Sequence, residues 1–146
     1  MPTIIVDQIS KRFGNQLAVN QASFSVEPGE IFALLGPNGA GKTTTIRIIL
    51  DIFKPDSGMV SIMGGPMTNE KKNRIGYMPE ERGLYQDVAL DRCLTYLATL
   101  KGLPTPEATR RVDAMLQRFE LYEHRKKKTK ELSKGMQQKA QLIVTL

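Results

Sequence analysis

The order of apolar and polar positions divides the chain into an N-terminal part rich in strands and a C-terminal part rich in helices. TIIVDQI and ASFSV alternate or run apolar beside the turn signals Gly14-Asn15 and Pro28-Gly29, which predicts strands. Residues 31–35 (IFALL) are apolar throughout, as in a strand buried on both faces of a parallel sheet. MVSIM (59–63) and RIGYM (74–78) predict two further strands.

Helical spacing follows the IFALL run and returns after residue 85. Apolar residues at 46, 49, 50 and 53 recur at steps of three and four, which predicts an amphipathic helix. Residues 55–58 (PDSG) predict a turn. Leu90, Leu94 and Leu97 share one helix face. Another helix is predicted to begin with Thr105 as its N-cap and Pro106 as its first helical residue, and Ser133 predicts the N-cap of the last helix.

Composition narrows the class of protein. The 146 residues are 40% hydrophobic and 25% charged, which fits a globular protein and excludes a disordered tail or a fibre. No apolar run approaches the ~18 residues of a membrane span, and the N-terminal sequence lacks the pattern of an export signal. With one cysteine, Cys93, and one histidine, His124, a zinc cluster or a Ser-His-Asp triad is disfavoured.

The net charge of +6 is concentrated near the C-terminus. Residues 121–146 hold seven Lys and Arg residues and two acidic residues. A nucleic-acid footprint is normally broader than one short cluster and is interleaved with aromatic residues. We therefore interpret the basic run 125–130 as a solvated face, and nucleic acid is disfavoured as a partner.

Residues 36–43 (GPNGAGKT, the phosphate loop) match the pattern G-x-x-x-x-G-K-[ST] between a predicted buried strand and a predicted helix. Glycines let the backbone approach an anion closely, and successive N–H groups with the helix N-terminus form an anion cradle. Lys42 reaches the β- and γ-phosphates, and the Thr43 hydroxyl suits Mg²⁺. Thr44 helps to fix the α-phosphate. The alternative, a chance glycine-rich turn, is disfavoured by the strand–loop–helix context.

GPNGAGKTT, PDSG, GYMPEERGLY and ELSKGMQQK, in this order, resemble the ATP-binding subunits of ABC (ATP-binding cassette) transporters. The resemblance covers the whole chain, and LSKGM discriminates it from phosphate-loop kinases and GTPases. It implies an α/β P-loop NTPase fold of the ABC type, partial in this chain, with an N-terminal antiparallel β portion and an inserted helical subdomain. The implied division is a nucleotide-binding core at 1–84, a helical subdomain at 85–140 and the start of the remainder at 141–146.

The resemblance also implies roles for individual residues. Lys42 and Glu80 are the implied catalytic residues, and Thr43 and Glu80 the implied Mg²⁺ ligands. Glu80 stands where the family usually has glutamine; the alternative is a solvated loop acid. The residues implied to bind ATP are Phe13, Gly36, Pro37, Asn38, Gly39, Ala40, Gly41, Lys42, Thr43, Thr44, Ser133 and Gly135.

Two of these assignments have structural alternatives. Phe13 matches the aromatic residue that stacks on adenine, which is the interpretation we favour, and the alternative is a half-buried strand residue. Ser133 and Gly135 belong to LSKGM, which corresponds to the family's LSGGQ and implies contact with the γ-phosphate of ATP held by a second subunit. Lys134 and Met136 depart from that pattern, and Met136 precludes a reciprocal capping box. The alternative is an ordinary serine-capped helix.

The family's later motifs have no counterpart before Leu146: the strand ending in Asp-Glu and the histidine switch. We therefore expect the first part of a cassette of ~220 or more residues. Its phosphate-loop strand would lack a neighbour and leave an open sheet edge. It would bind ATP and hydrolyse it negligibly.

The intact protein is expected to be the ATPase subunit of an exporter, because PEERGLY resembles exporter-type members. It would lie in the cytoplasm, peripheral on the inner face of the membrane. Its partners would be ATP with Mg²⁺, transmembrane permease subunits and a second ATP-binding subunit in a head-to-tail dimer. The alternatives are a soluble ABC ATPase of translation or DNA repair, and a non-catalytic nucleotide-binding module.

Overall fold

The computed structural model describes residues 1–79 and 83–146 and divides into two compact units, Met1–Ile75 and Gly76–Leu146. The first unit contains strands β1 (Ile4–Phe13), β2 (Gln16–Val26) and β3 (Ser57–Ile62) and helices α1 (Lys42–Ile49) and α2 (Asn69–Lys72). The second contains helices α3 (Leu90–Leu100), α4 (Thr105–Arg118) and α5 (Lys134–Thr145), with short 3₁₀ helices at Tyr122–His124 and Thr129–Glu131. The predicted functional boundaries, after residues 84 and 140, stay predictions.

The first unit is built on an antiparallel sheet with strand order β2-β1-β3. Gln8 and Gln21 take left-handed backbone angles at irregularities in the β1–β2 register. Two serine hydroxyls accept the amides at these points: Ser23 Oγ from Gln8 N at 2.8 Å and Ser10 Oγ from Gln21 N at 3.0 Å. These bonds satisfy amides that the bulged ladder leaves unpaired.

The core of this unit joins the sheet to α1. Val6 and Ile9 of β1 and Val19 of β2 are buried, and Ile48 contributes a buried apolar side chain from α1. Burying these apolar side chains fixes α1 against the sheet. The phosphate loop, which runs directly into α1, is thereby held next to β2.

The second unit has its own core of helix side chains. Leu90, Cys93 and Leu94 of α3 pack with residues of α4 and α5, and Leu116 of α4 is fully buried. Burial raises the pKa of the Cys93 thiol. This arrangement of amphipathic helices is what the apolar spacing predicts.

The basic run pairs with the chain that precedes α3. Leu90 N donates to Lys127 O at 2.9 Å, and Thr129 N donates to Val88 O at 3.1 Å. Lys126 also forms an ion pair with Asp91 at 2.7 Å. Part of this basic run therefore binds to the start of α3. The two segments are distant in sequence, so hydrophobic periodicity does not predict this contact.

Two predicted strands are absent from the described residues. Neither 31–35 nor 74–78 is a strand, and Ile31 and Leu35 are 98% and 87% exposed. An apolar run becomes a strand only when a neighbouring strand accepts and donates its backbone hydrogen bonds, and the described sheet contains only β1, β2 and β3. The prediction of a buried phosphate-loop strand with an open edge is therefore wrong for this structure.

The start of α4 also differs by one position from the prediction. Pro104 is the N-cap, so Thr105 is the first helical residue and Pro106 the second. The hydrogen bond from Ala108 N to Pro104 O, at 2.9 Å, is the first of the helix and marks this start. None of the described helices is long and apolar enough to cross a membrane.

Candidate nucleotide-binding site

The backbone of the phosphate loop depends on glycine at two positions. Gly39 and Gly41 have φ of 84° and 86°, in the left-handed region that glycine occupies without strain. At Gly41 a Cβ would also lie 2.1 Å from Ala18 O and 3.3 Å from Val19 Cγ2. Gly41 therefore lets the loop lie directly against the backbone of β2.

The first turn of α1 presents backbone donors. Gly41 is the N-cap, Thr45 N donates to Gly41 O at 2.8 Å, and no side chain caps the helix. The amides of Lys42, Thr43 and Thr44 lie in the first turn, where a helix provides no acceptor. Together with the helix dipole they form a site for an anion.

Lys42 folds back over the loop that precedes it. Its Nζ donates to Gly36 O and to Pro37 O, both at 2.7 Å. Ala40 N donates to Pro37 O at 3.2 Å, which closes a turn beneath the lysine. The ammonium group is therefore held against the first two residues of the phosphate loop.

A cavity of about 450 Å³ lies between the phosphate loop and β2. Its walls come from β2, the residues before the loop and the loop itself: Leu17, Ala18, Val19, Asn20, Ala22, Ser23, Phe24, Leu34, Leu35, Gly39, Ala40, Lys42 and Thr45. Its volume is in the range of small-molecule sites. Phe13 does not line it.

Phe13 lies at the end of β1 and is 44% exposed. Its ring packs edge-on against Phe53, with centroids 5.5 Å apart, and Lys11 Nζ lies 5.7 Å from its centroid. This geometry leaves part of the ring open to a base. Stacking on adenine stays a prediction.

Ser133 and Gly135 of the LSKGM segment belong to the second unit. Ser133 is the N-cap of α5, and its Oγ accepts Met136 N at 3.3 Å, so the predicted serine cap is confirmed. A Cβ added at Gly135 would meet no atom within 4 Å. The α5 N-terminus is therefore open around Gly135, whereas contact with a nucleotide on another subunit stays a prediction.

The metal site is defined only in part. Glu80 lies outside the described residues. In the described ranges no group of three or more His, Cys, Asp or Glu residues could hold a metal ion. The exposed Thr43 provides one hydroxyl oxygen at the first turn of α1. One such ligand fits Mg²⁺, which keeps several waters and binds substrate phosphates.

The glycine loop and the helix that follows it are features of a P-loop NTPase. The sequence comparison gives the family. Residues 19–146 match the family described as "ABC transporter". The chain belongs to this family, as its motifs predict, and the family binds ATP.

Curated relatives agree with this assignment. The chain is 43% identical over 140 residues to the "Uncharacterized ABC transporter ATP-binding protein YhaQ" of Bacillus subtilis, covering 96% of this chain and 47% of the relative. It is 38% identical over 142 residues to the "Nod factor export ATP-binding protein I" of Burkholderia thailandensis, covering 95% and 47%. The chain thus spans about half the length of the curated relatives it matches.

Solved structures support the ABC ATPase fold. The "Structure of ATP binding subunit of ABC transporter" superposes with a TM-score of 0.78 at 32% identity, covering 98% of this chain and 61% of that one. The cbiO1 protein of Clostridium perfringens, titled as part of the transporter complex cbiONQ, superposes with a TM-score of 0.83 at 23% identity, covering 99% and 61%. The second likeness bears on the fold alone.

The sequence does not identify the residues that pack against the phosphate loop and against Phe13. Ala18 and Val19 limit the space at Gly41, and Phe53 packs against Phe13. The sequence predicts only a turn at Asp56, whose carboxylate accepts hydrogen bonds from Lys11 and Arg12 near the end of β1. Acidic residues in turns and basic residues elsewhere in a chain are both common, so no sequence pattern distinguishes Asp56.

Proposed function

We propose that the chain is the ATP-binding part of an ABC transporter ATPase subunit that couples ATP binding and hydrolysis to export across a membrane. The observation that carries the proposal is the phosphate loop, in which the first turn of α1 has no side-chain cap and the Lys42 ammonium lies on the carbonyls of Gly36 and Pro37. Similarity to a protein named for Nod factor export supports the direction of transport.

The residues of the proposed nucleotide site would bind different parts of ATP with Mg²⁺. The amides of Lys42, Thr43 and Thr44 bind phosphate oxygens, and the Lys42 ammonium balances charge at the β- and γ-phosphates. The Thr43 hydroxyl and Glu80 would hold Mg²⁺, which when bound neutralises charge developing on the phosphates. Phe13 would stack on adenine.

The proposal extends to the assembly. Two copies would bind head to tail, with Ser133 and Gly135 of each facing the phosphate loop of the other. Permease subunits would hold the dimer on the inner face of the membrane. Membership of the ABC transporter family and similarity to a subunit named for Nod factor export support the permease partners.

Lys42→Ala tests the site. We expect at least about tenfold weaker binding of ATP with Mg²⁺, measured by calorimetric titration, because charge-assisted bonds to phosphate are lost. Lys54→Ala is the matched control, because Lys54 is an 80% exposed lysine of the same unit that pairs with Asp51. Equal affinity in Lys42→Ala and the parent chain would refute the assignment of the loop.

Export requires a second experiment. The full-length protein would be reconstituted with its membrane subunits in vesicles. We expect ATP-dependent export that Lys42→Ala abolishes. ATP hydrolysis that is unaffected by the membrane subunits would contradict the proposed coupling.

A further inference from the structure

Asp56, just before β3, bonds to three consecutive residues near the end of β1. Its backbone N donates to Ser10 O at 2.8 Å. Its carboxylate accepts Lys11 Nζ through Oδ1 and Arg12 N through Oδ2, both at 2.7 Å. One residue therefore fixes the main chain at Ser10 and Arg12 and the side chain of Lys11.

The next residue along β1 is Phe13, and it is supported from the same segment. Phe53, three residues before Asp56, packs edge-on against the Phe13 ring. Lys11 Nζ, which Asp56 holds, lies 5.7 Å from the centroid of that ring. Asp56 thus determines both the backbone that leads into Phe13 and the position of the cation beside its ring.

The electrostatics favour an ionised carboxylate at this point. The hydrogen bond from the Lys11 ammonium, followed by that from Arg12 N, holds the pKa of Asp56 below its usual range. Half-exposed ion pairs contribute little to overall stability. Charge-assisted bonds do fix direction, however, and here they hold the two residues before Phe13, Lys11 and Arg12.

We propose that Asp56 is a positioning residue for the nucleobase, holding the end of β1 so that Phe13 presents its ring to adenine. This inference rests on the proposed function, in which Phe13 stacks on the base. Stacking requires a defined ring orientation, and Asp56 with Phe53 supplies it. The triphosphate does not use this contact, so binding of the phosphate chain alone should not depend on Asp56.

Asp56→Asn tests the proposal by comparing two ligands, ATP and inorganic tripolyphosphate, each titrated into the whole chain. Asparagine keeps one acceptor oxygen but loses the charge and the second acceptor. We expect about fivefold weaker binding of ATP, a partial loss of stacking, while tripolyphosphate affinity stays within about twofold. A role confined to folding would lower both affinities together.

Two controls sharpen the comparison. Asp51→Asn removes a carboxylate of the same unit that pairs with Lys54, at a left-handed position that asparagine tolerates, and it should change neither affinity. Phe13→Ala should weaken ATP binding about tenfold without affecting tripolyphosphate. In the Phe13→Ala background, Asp56→Asn should cause no further loss.

The outcomes separate this inference from the proposed function. If Lys42→Ala leaves tripolyphosphate binding unchanged, the phosphate site itself is wrong. If Phe13→Ala leaves ATP binding unchanged, the base contact is wrong and the inference falls with it. If Phe13→Ala weakens ATP binding but Asp56→Asn does not, or if Asp56→Asn weakens both ligands alike, the positioning role alone is overturned.

Discussion

Gly41 shows how a single residue controls the candidate site. Two constraints act on it: a left-handed φ of 86° and a backbone oxygen, Ala18 O, that a Cβ would approach to 2.1 Å. Gly39 has nearly the same φ, 84°, but a Cβ there would meet no atom within 4 Å. The pair therefore separates the cost of backbone strain from the cost of a clash.

Gly39→Ala is expected to cost about 1–2 kcal/mol in the free energy of unfolding, the cost of a left-handed alanine. Gly41→Ala is expected to cost at least about 1 kcal/mol more, because the added methyl overpacks against β2. Urea denaturation without nucleotide measures both values. Equal losses in the two variants would show that the contact with Ala18 is not limiting.

At this scale the sequence predicts what is local and misses what is not. The phosphate loop is a continuous motif, so its glycines, Lys42 and Thr43 are identifiable from spacing. The contacts of Gly41 with Ala18 and of Phe13 with Phe53 join positions far apart in the chain. Only the folded sheet brings these positions together, and no local pattern encodes them.

Helix α5 shows what one cap contributes to an element. Ser133 Oγ accepts Met136 N, and Met136 cannot return the bond as Glu or Gln would in a capping box. The helix start therefore has one side-chain cap, and the serine has a structural task whether or not it also contacts a nucleotide.

Ser133→Ala is expected to lower the free energy of unfolding by about 1 kcal/mol, the usual cost of losing a cap. Ser133→Asp should restore most of it, because aspartate also accepts first-turn amides and suits the helix dipole. Thermal unfolding followed by circular dichroism checks both. A Ser133→Asp variant as unstable as Ser133→Ala would argue against capping as the cause.

The elements themselves were predictable to different degrees. Amphipathic helices such as α3 and α4 are encoded by their own periodicity, so the sequence identifies both helices and gives the start of α4 to within one residue. The strands β1 and β2 were identified less completely: β1 continues to Phe13 beyond the predicted TIIVDQI, and β2 begins at Gln16, before the predicted ASFSV. Residues 31–35 have the composition of a buried strand, yet a strand also requires a pairing partner, which composition does not specify.

At the scale of the whole chain, each compact unit has its own hydrophobic core. Ile9 is fully buried in the core of the first unit, with Val6, Val19 and Ile48 around it. Leu116 is fully buried in the core of the second, among side chains of α3 and α5. Because apolar burial is the main stabilising term, a cavity in one core should first weaken the unit that contains it.

Hydrogen exchange on two cavity variants tests this expectation. Leu116→Ala removes about 2–5 kcal/mol of packing, so amides of α3, α4 and α5 should exchange faster while those of β1, β2 and β3 keep their protection. Ile9→Ala should give the reverse pattern, because Ile9 belongs to the core that joins the sheet to α1. If either variant accelerated exchange equally in both units, the chain would unfold as one cooperative body. The stability of the phosphate loop would then depend on the core of the second unit as well as on that of the first.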